Sequence, residues 1–487
     1  MRGKPHCLIF LLLSTIAFFA RPAYSQTRQI VPPMAPQVVR LNLAALDARG
    51  MAVSDLGIDE VQISDAGKPQ QIVYFRRDDN GPSPGAKMER RDSASGSGGN
   101  PRAILVLFDL LNENFSHRGY AASELVHAIQ KLETTDYIYI YLLTKDGSIF
   151  PVRPVPPTAE LLHPAGSWTG EIHKVLDNAL RTVTQLKTID MRTTLNYIPA
   201  TFETLEAMAR QMTLFPGRKS IVWITQGVPL EVHNATNELI DFTPRLRTLG
   251  VLLNRLNVAV LPVVPNIQSG STPLTQQDLL HTFSDLTGGP PNLYSDITSP
   301  LEQALQATRA SYRIVYIPSA QNWDGKFHKL KVTSTRAGVH LQTQQGFLAD
   351  SSQQLLAPEQ QALIETAVAS PFDIRAIGMH SFIGQSGALK DRLQIRVDLS
   401  DVLLLRSGEK YQGELAVRII HFYGGTKTTV STFSVNLDLT EKQRETMMTD
   451  GLLFGDRDPV SSDLEKVRIV VFDSGSGSIG ALNVKLQ

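Results

Sequence analysis

The sequence contains a single cysteine among 487 residues, and that cysteine, Cys7, lies in an apolar segment near the start. The segment is typical of a secretory signal, because Arg2 and Lys4 precede an apolar run over residues 8–20 and Ala23-Tyr24-Ser25 offers a cleavage point. We therefore expect residues 1–25 to be removed, which leaves no disulfide, no thiolate metal site and no cysteine nucleophile. An uncleaved anchor is the alternative interpretation of this segment.

Charge of one sign is not in excess either. The chain has 47 Lys and Arg against 47 Asp and Glu, and the signal removes three basic residues, which leaves 44 against 47, or −3. Such a balance indicates neither a nucleic-acid partner nor an anionic membrane surface. After the signal, no run is long and apolar enough to cross a bilayer, so no integral membrane segment is expected after cleavage. The predicted location is secreted or periplasmic.

Composition shifts divide the rest of the chain. Residues 26–77 contain short alternating segments separated by turn residues, which predict a small N-terminal β unit too small to have its own core. Residues 78–101 are rich in Gly, Ser, Pro, Asp and Arg, which predicts a disordered linker. Residues 350–369 form a connector that is predicted to be helical in part.

The two large segments differ in their periodicity. Residues 102–349 alternate apolar runs with helical patterns, up to a last predicted strand at Tyr312–Ile317, and predict an α/β fold with a doubly wound, mostly parallel sheet. In residues 370–487, apolar residues recur at every second position, which predicts an antiparallel β-sandwich. They are Leu393, Ile395 and Val397, then Leu415, Val417 and Ile419, then Val467, Ile469 and Val471.

The most informative stretch is Ala103–Asn112, where an unbroken apolar run leads through Phe108 into the carboxylate of Asp109. A short apolar run that ends in a polar residue is typical of a strand buried on both faces, which stops at the carboxyl edge of a parallel sheet. Ligands of open α/β sheets bind at that edge. We therefore expect Asp109 on an exposed rim that recognises a partner.

Several motifs occur in the order found in von Willebrand factor type A domains. They include Val61–Phe75, Leu107–Asn112, Pro216–Ile224, Tyr312–Ile317 and His328–Val332 with Gly346-Phe347. Because of these motifs, the segment from about residue 38 to residue 348 resembles such a domain. The resemblance is greatest to the secreted VWFA-related proteins of Acidobacteria-type bacteria.

The resemblance implies a Mg²⁺ site built from an Asp-x-Ser-x-Ser loop, a Thr from a second loop and an Asp from a third. Hydroxyl and carboxylate oxygens suit this hard cation. The chain keeps Asp109 and Thr193, but the serine positions hold Leu111 and Glu113, and the third-loop Asp is replaced by Gln226. One interpretation is a Mg²⁺ site formed by Asp109, Thr193 and waters, with Glu113 and Gln226 as further ligands. No other cofactor is expected. The favoured interpretation is structural: Asp109 caps the next helix or bonds to the Thr193 loop.

No nucleophile, base and metal set stands out, so the chain is predicted not to be an enzyme. Gly475–Gly480 matches G-x-G-x-x-G, but no helix and acidic residue can follow before the chain ends, so it is interpreted as a turn. We expect an exported, adhesion-like protein that presents three loops, residues 109–116, 190–196 and 225–237, to a protein or peptide partner. The predicted contact residues are Asn112, Asn114, Thr194, Thr225 and Gln226. The alternative is a metal-free structural or assembly scaffold of the bacterial envelope, and a hydrolase is the third hypothesis.

Overall fold

A computed structural model describes most of the chain after residue 36. The described residues are 37–78, 101–112, 118–132, 137–162, 171–185, 195–264, 274–290, 294–318, 323–350, 353, 355–385, 390–424 and 427–486. The predicted signal and linker, at residues 1–25 and 78–101, therefore lie outside the described residues except for the boundary residues 78 and 101.

Strands outnumber helices, with 40% of the structure in strands and 30% in helices. The strands are β1 Val39–Leu46, β2 Val61–Asp65, β3 Lys68–Gln70, β4 Ile72–Arg77, β5 Ile104–Asp109, β6 Ile138–Leu143, β7 Ile149–Arg153, β8 Lys219–Ile224, β9 Glu231–His233, β10 Leu239–Asp241, β11 Val258–Val263, β12 Ser311–Tyr316, β13 Phe327–Ser334, β14 His340–Thr343, β15 Gly346–Leu348, β16 Ile374–Arg375, β17 Met379–Ile383, β18 Arg392–Val397, β19 Leu405–Ser407, β20 Lys410–Tyr423, β21 Thr428–Thr440, β22 Leu452–Pro459, β23 Leu464–Asp473 and β24 Ile479–Lys485. The helices are α1 Arg118–Lys131, α2 Ile172–Gln185, α3 Tyr197–Gln211, α4 Thr243–Arg255, α5 Leu274–Thr287, α6 Thr298–Ala307, α7 Ala357–Ala369 and α8 Glu441–Asp450.

The only sheet with parallel pairs in the described part of the chain has the order β11-β8-β5-β6-β7. Strands β11, β8, β5 and β6 run parallel, and β7 is antiparallel to β6. Every residue of β5 is buried, because helices cover both faces of the sheet, and this explains the unbroken apolar run of its sequence. Leu105 and Leu107 pack towards α3, α4 and α5, whereas Val106 and Phe108 pack towards α1, α2 and α6.

The prediction of a doubly wound, mostly parallel α/β fold is wrong. Five of the six sheets in the described residues are antiparallel, and only the β11-β8-β5-β6-β7 sheet contains parallel pairs. The alternation of apolar runs and helical patterns located these elements, but it does not encode which strand a given run pairs with or in which direction.

Strand β12 shows the error directly. Its sequence was predicted to be the last strand of the parallel sheet, but it lies between β1 and β4 in an antiparallel sheet of order β14-β1-β12-β4. Tyr312 stands opposite Leu43 on one side and Arg77 on the other. Strands β2 and β3 likewise join β13 and β15 in another antiparallel sheet. The N-terminal strands are thus built into sheets with residues 311–348.

The C-terminal third consists of two antiparallel sheets. One has the order β16-β24-β23-β20-β19 with β21 also paired to β20, and the other has the order β17-β18-β22. The alternating apolar residues noted in the sequence form the core that these strands share, and they include Ile395, Val417 and Ile469. Between β20 and β22, His421 and Asp456 form a buried hydrogen bond.

Helix α8 was not predicted from the sequence. It has no buried residue, so it lacks the apolar stripe by which helices are recognised, although Thr440 caps it and accepts a hydrogen bond from the Gln443 amide. Among the described helices, none combines the length and the apolar character needed to cross a membrane.

Candidate functional site

Asp109 is the last residue of the central strand β5, where Leu143 at the end of β6 stands opposite it. The next strand in the sheet, β8, ends at Ile224, and Thr225 follows it. The side chain therefore lies at the carboxyl end of the parallel strands, where the sequence placed it. The expected exposure is wrong, because Asp109 is 0% exposed.

Four donors surround the carboxylate. Oδ2 accepts hydrogen bonds from Asn112 Nδ2 at 2.7 Å, from Thr225 Oγ1 at 2.8 Å and from Trp223 Nε1 at 3.1 Å. Oδ1 accepts one from the backbone amide of Asn112 at 3.0 Å. Because an ionised carboxylate offers about four lone-pair sites, Oδ2 is saturated and only Oδ1 retains capacity.

The network continues from Asn112 into helix α3. The side-chain amide of Asn112 also donates to Thr201 Oγ1 at 2.8 Å, and that hydroxyl donates to the carbonyl oxygen of Tyr197 at 2.8 Å. On the other side, Thr225 Oγ1 accepts a hydrogen bond from the Gly227 amide at 2.9 Å. A single carboxylate thus ties the end of β5 to β8, to the turn after β8 and to α3.

The electrostatics of Asp109 are set by two opposed effects. Burial raises its pKa above the ordinary value of 3.8, because it disfavours the charged form. The hydrogen bonds from Asn112, Thr225 and Trp223 act in the opposite direction, since they stabilise the carboxylate. All four donors that face the carboxyl group are N–H or O–H groups suited to an ionised acceptor.

The hydrogen bonds among the described residues do not fit direct coordination of Mg²⁺ through Oδ2 of Asp109. Three donors occupy Oδ2, and Leu111, at the first serine position, is buried in the apolar core. Within the described ranges, no cluster of three or more His, Cys, Asp and Glu side chains could hold a metal ion. Of the other predicted ligands of the metal, Glu113 and Thr193 lie outside the described residues, and Gln226 is buried.

The predicted contact residues fall into two groups. Asn112 and Thr225 meet at Asp109, and Gln226 follows them, but all three side chains are buried. Asn114 and Thr194 lie outside the described residues. Buried amide atoms remain at this end of the sheet, since Asn112 Oδ1 and Gln226 Nε2 have no hydrogen-bond partner in the described structure.

Sequence reasoning missed Trp223 and Thr201 as members of this network. A weak signal for Trp223 existed, because a buried indole N–H requires an acceptor. Trp223 also stands two residues before Thr225, and side chains two residues apart along an extended chain lie on the same face. No signal pointed to Thr201, since its contact with Asn112 spans 89 residues of sequence.

The hairpin β9-β10 follows the turn at Thr225, and most of its residues are exposed. In its turn, Asn234 Oδ1 accepts hydrogen bonds from the amides of Thr236 at 3.0 Å and Glu238 at 2.9 Å. At its base, the amide of Phe242 donates to the carbonyl oxygen of Leu230 at 2.8 Å. Leu239 is 53% exposed, so the hairpin offers an apolar side chain to solvent.

Comparison with known proteins yields little. No family of known proteins matches the chain, and no curated protein matches it. Among solved structures, the PilB minor pilin from Streptococcus sanguinis is 14% identical with a TM-score of 0.24, over 43% of this chain and 60% of the pilin chain. The human COPII-coat protein Sec24c is 9% identical with a TM-score of 0.25, over 80% of this chain and 44% of the Sec24c chain. The chain thus covers about half the length of these structures, and scores this low carry no argument about fold or function.

Proposed function

We propose that the protein is an exported, non-enzymatic interaction protein that presents the carboxyl-end rim of its central sheet to a protein or peptide partner without a metal ion. The resemblance to von Willebrand factor type A domains motivates this proposal. It is supported by the sheet of residues 104–263, in which Asp109 ends the middle strand and helices cover both faces.

The observation that carries the metal-free part is the closed network around Asp109. A carboxylate that is 0% exposed and accepts four hydrogen bonds serves as a structural tie between β5, β8 and α3. Direct coordination of a cation by Oδ2 would require at least one of these donors to leave, and each buried donor left without an acceptor costs about 1–3 kcal/mol.

The surface that would meet the partner is the hairpin β9-β10. It follows the turn after β8, its own turn is held by the Asn234 side chain, and it carries the exposed Leu239. Apolar side chains held on a rigid, exposed element are suited to contact with another protein.

Envelope assembly through a sheet edge is the second candidate function. Strand β21 has 13 residues, it pairs with β20 along its length, and no second partner strand is found in the described structure. A long edge strand presents unpaired N–H and C=O groups to which a strand of another chain can be added.

Site-specific photo-cross-linking separates the two functions. A photoreactive residue replaces Leu239 in one variant and Val430 of β21 in the other, and both positions carry exposed apolar side chains, 53% and 58% exposed. We expect a discrete adduct from envelope extract at position 239 and none at position 430, with the same yield in EDTA. Adducts at position 430 alone would favour assembly through the edge, and adducts at neither position would contradict both functions.

The metal-free part has its own test. Millimolar Mg²⁺ or Mn²⁺ is expected to leave the melting temperature of the protein unchanged relative to EDTA. A rise in melting temperature that Asp109→Ala abolishes would show that the site takes a metal ion, and this part of the proposal would then be wrong.

A further inference from the structure

A second polar site lies at the opposite end of the central sheet from Asp109. A cavity of about 140 Å³ is bounded there by Lys219, the first residue of β8, and by Asn257, which precedes β11. Arg40 of β1 and Arg313 of β12 line the same cavity, so it stands where the N-terminal strands meet the parallel sheet.

The charge of the cavity lining is strongly unbalanced. Among the described residues, five cationic side chains line it against the single carboxylate of Asp78; they are Arg40, Lys219, Arg247, Arg255 and Arg313. Asp78 Oδ2 already accepts hydrogen bonds from Arg313 Nη2 at 3.1 Å and from Asn257 Nδ2 at 2.8 Å. Arg255 is paired with Glu359 outside the lining.

Arg40 is bound without a carboxylate contact. It donates to backbone oxygens, at 2.7 Å to Gly475, at 3.0 Å to Gln353 and at 3.3 Å to Ser474. The buried Asp473 adds only a longer-range attraction, and burial together with the nearby Arg313 lowers the pKa of Arg40 to about 10. The positive charge of Arg40 therefore remains largely uncompensated beside the cavity.

Lys219 is the least satisfied of these cations. It is 6% exposed, and the hydrogen bond found for its ammonium is a long one, 3.5 Å to the carbonyl oxygen of Phe215. An ammonium group has three donors, so two lack an acceptor within the described structure. Arg313 Nε is also buried without a partner there.

The pKa of Lys219 reflects this environment. It falls to about 8, chiefly because burial disfavours the charged ammonium; the carboxylate of Asp78 opposes the shift and the guanidinium of Arg313 adds to it. A buried charge without a counterion is costly, and a bound anion would remove that cost.

We propose that this cavity binds a phosphate group, either free phosphate or the head of a small phosphomonoester, through Lys219 and Arg313. These donors come from different elements, β8 and β12, and both line the cavity, which suits an oxyanion held by more than one donor. The volume is roughly tenfold what a cavity needs to hold one water, about 10–15 Å³, so a phosphate with a small substituent fits. The exposed Arg247 at the lining gives one margin of the cavity access to solvent.

The test is calorimetric and thermal titration of the purified full chain with inorganic phosphate, with glycerol phosphate and with citrate, at ionic strength matched by NaCl. We expect saturable phosphate binding and a melting temperature raised by about 3 °C at a hundredfold excess over Kd. Tighter binding of glycerol phosphate than of phosphate would identify a phosphomonoester as the ligand, and the reverse would identify free phosphate. Absence of saturable phosphate binding above the NaCl control, or preference for citrate, would overturn the proposal.

Variants assign the binding to the cavity. Lys219→Met removes the ammonium and keeps the length of the side chain, and we expect it to weaken phosphate binding at least tenfold. Lys331→Met, at an exposed position of β13, is the matched control and should bind as the wild type does. Equal affinity of both variants would overturn the assignment.

A second measurement holds even if Lys219→Met does not fold. Crystals of the wild-type protein soaked in tungstate, a heavy analogue of phosphate, should show an anomalous peak within hydrogen-bond distance of Lys219. A peak elsewhere, or no peak at a concentration that saturates binding in solution, would contradict the proposal.

Discussion

Replacement of Asp109 tests whether this carboxylate holds the central sheet together. In Asp109→Ala, the indole N–H of Trp223 and the backbone N–H of Asn112 lose the acceptor to which they donate. Both groups are donors only, so neither can form a different hydrogen bond as an acceptor. The Asn112 side chain keeps its bond to Thr201, so its loss is partial.

The magnitude follows from the number of stranded donors. Two buried donors without an acceptor cost about 2–6 kcal/mol together, and relief of the burial that raises the pKa of Asp109 offsets part of this. We therefore expect Asp109→Ala to lower the free energy of unfolding by about 3 kcal/mol. Asp109→Asn keeps one carbonyl oxygen but sets its NH₂ group against one of the donors, so a loss of about 1–2 kcal/mol is expected.

The assay is urea unfolding followed by tryptophan fluorescence, to which the buried Trp223 contributes. The matched control is Asp278→Ala, at an exposed position of α5, which should change stability by less than about 0.5 kcal/mol. A midpoint shift at constant m-value reports a change in stability alone. If the free energy of unfolding of Asp109→Ala lies within about 1 kcal/mol of the wild-type value, the carboxylate does not hold the central sheet together.

Three further predictions concern other parts of the fold. In phosphate-free buffer, the free energy of unfolding of the wild type should rise between pH 8 and 10.5 relative to that of Lys219→Met. In this window the unfolded state holds more protons on Lys219 than the folded state does. Equal pH profiles of the two proteins would refute the lowered pKa. Gly289→Ala should lower the melting temperature, because its Cβ would lie 2.4 Å from the carbonyl oxygen of Val260, whereas Gly119→Ala, with nothing within 4 Å, should not lower it. His421→Ala removes the buried imidazole that is hydrogen-bonded to Asp456 and should cost about 3 kcal/mol in chemical unfolding, and a neutral result would show that this contact is dispensable.

Much of the local structure could be predicted from the sequence. The alternation of apolar residues over 393–397, 415–419 and 467–471 predicted strands, and these residues lie in β18, β20 and β23. The apolar run before Asp109 predicted a buried strand, and β5 ends at Asp109. Both predictions rest on periodicity within a few residues, which is set by the geometry of the backbone itself.

The pairing of strands could not be predicted in the same way. The sequence of β12 was compatible with a parallel sheet, yet its partners are β1 and β4, more than 200 residues away in the chain. An apolar run records only that both faces of a strand are covered. The direction and identity of its neighbours depend on how distant segments pack, which the run does not contain.

For the candidate site, the sequence by itself determined that a carboxylate would stand at the end of a buried strand, because the type and order of neighbouring residues specify that position. Only the tertiary structure decided that Asp109 is buried and that its Oδ2 is saturated by Asn112, Trp223 and Thr225. Likewise, only the fold brings Arg40, Lys219 and Arg313 to one cavity. Local backbone geometry determines the elements, whereas burial and the meeting of distant charges depend on how those elements pack in three dimensions.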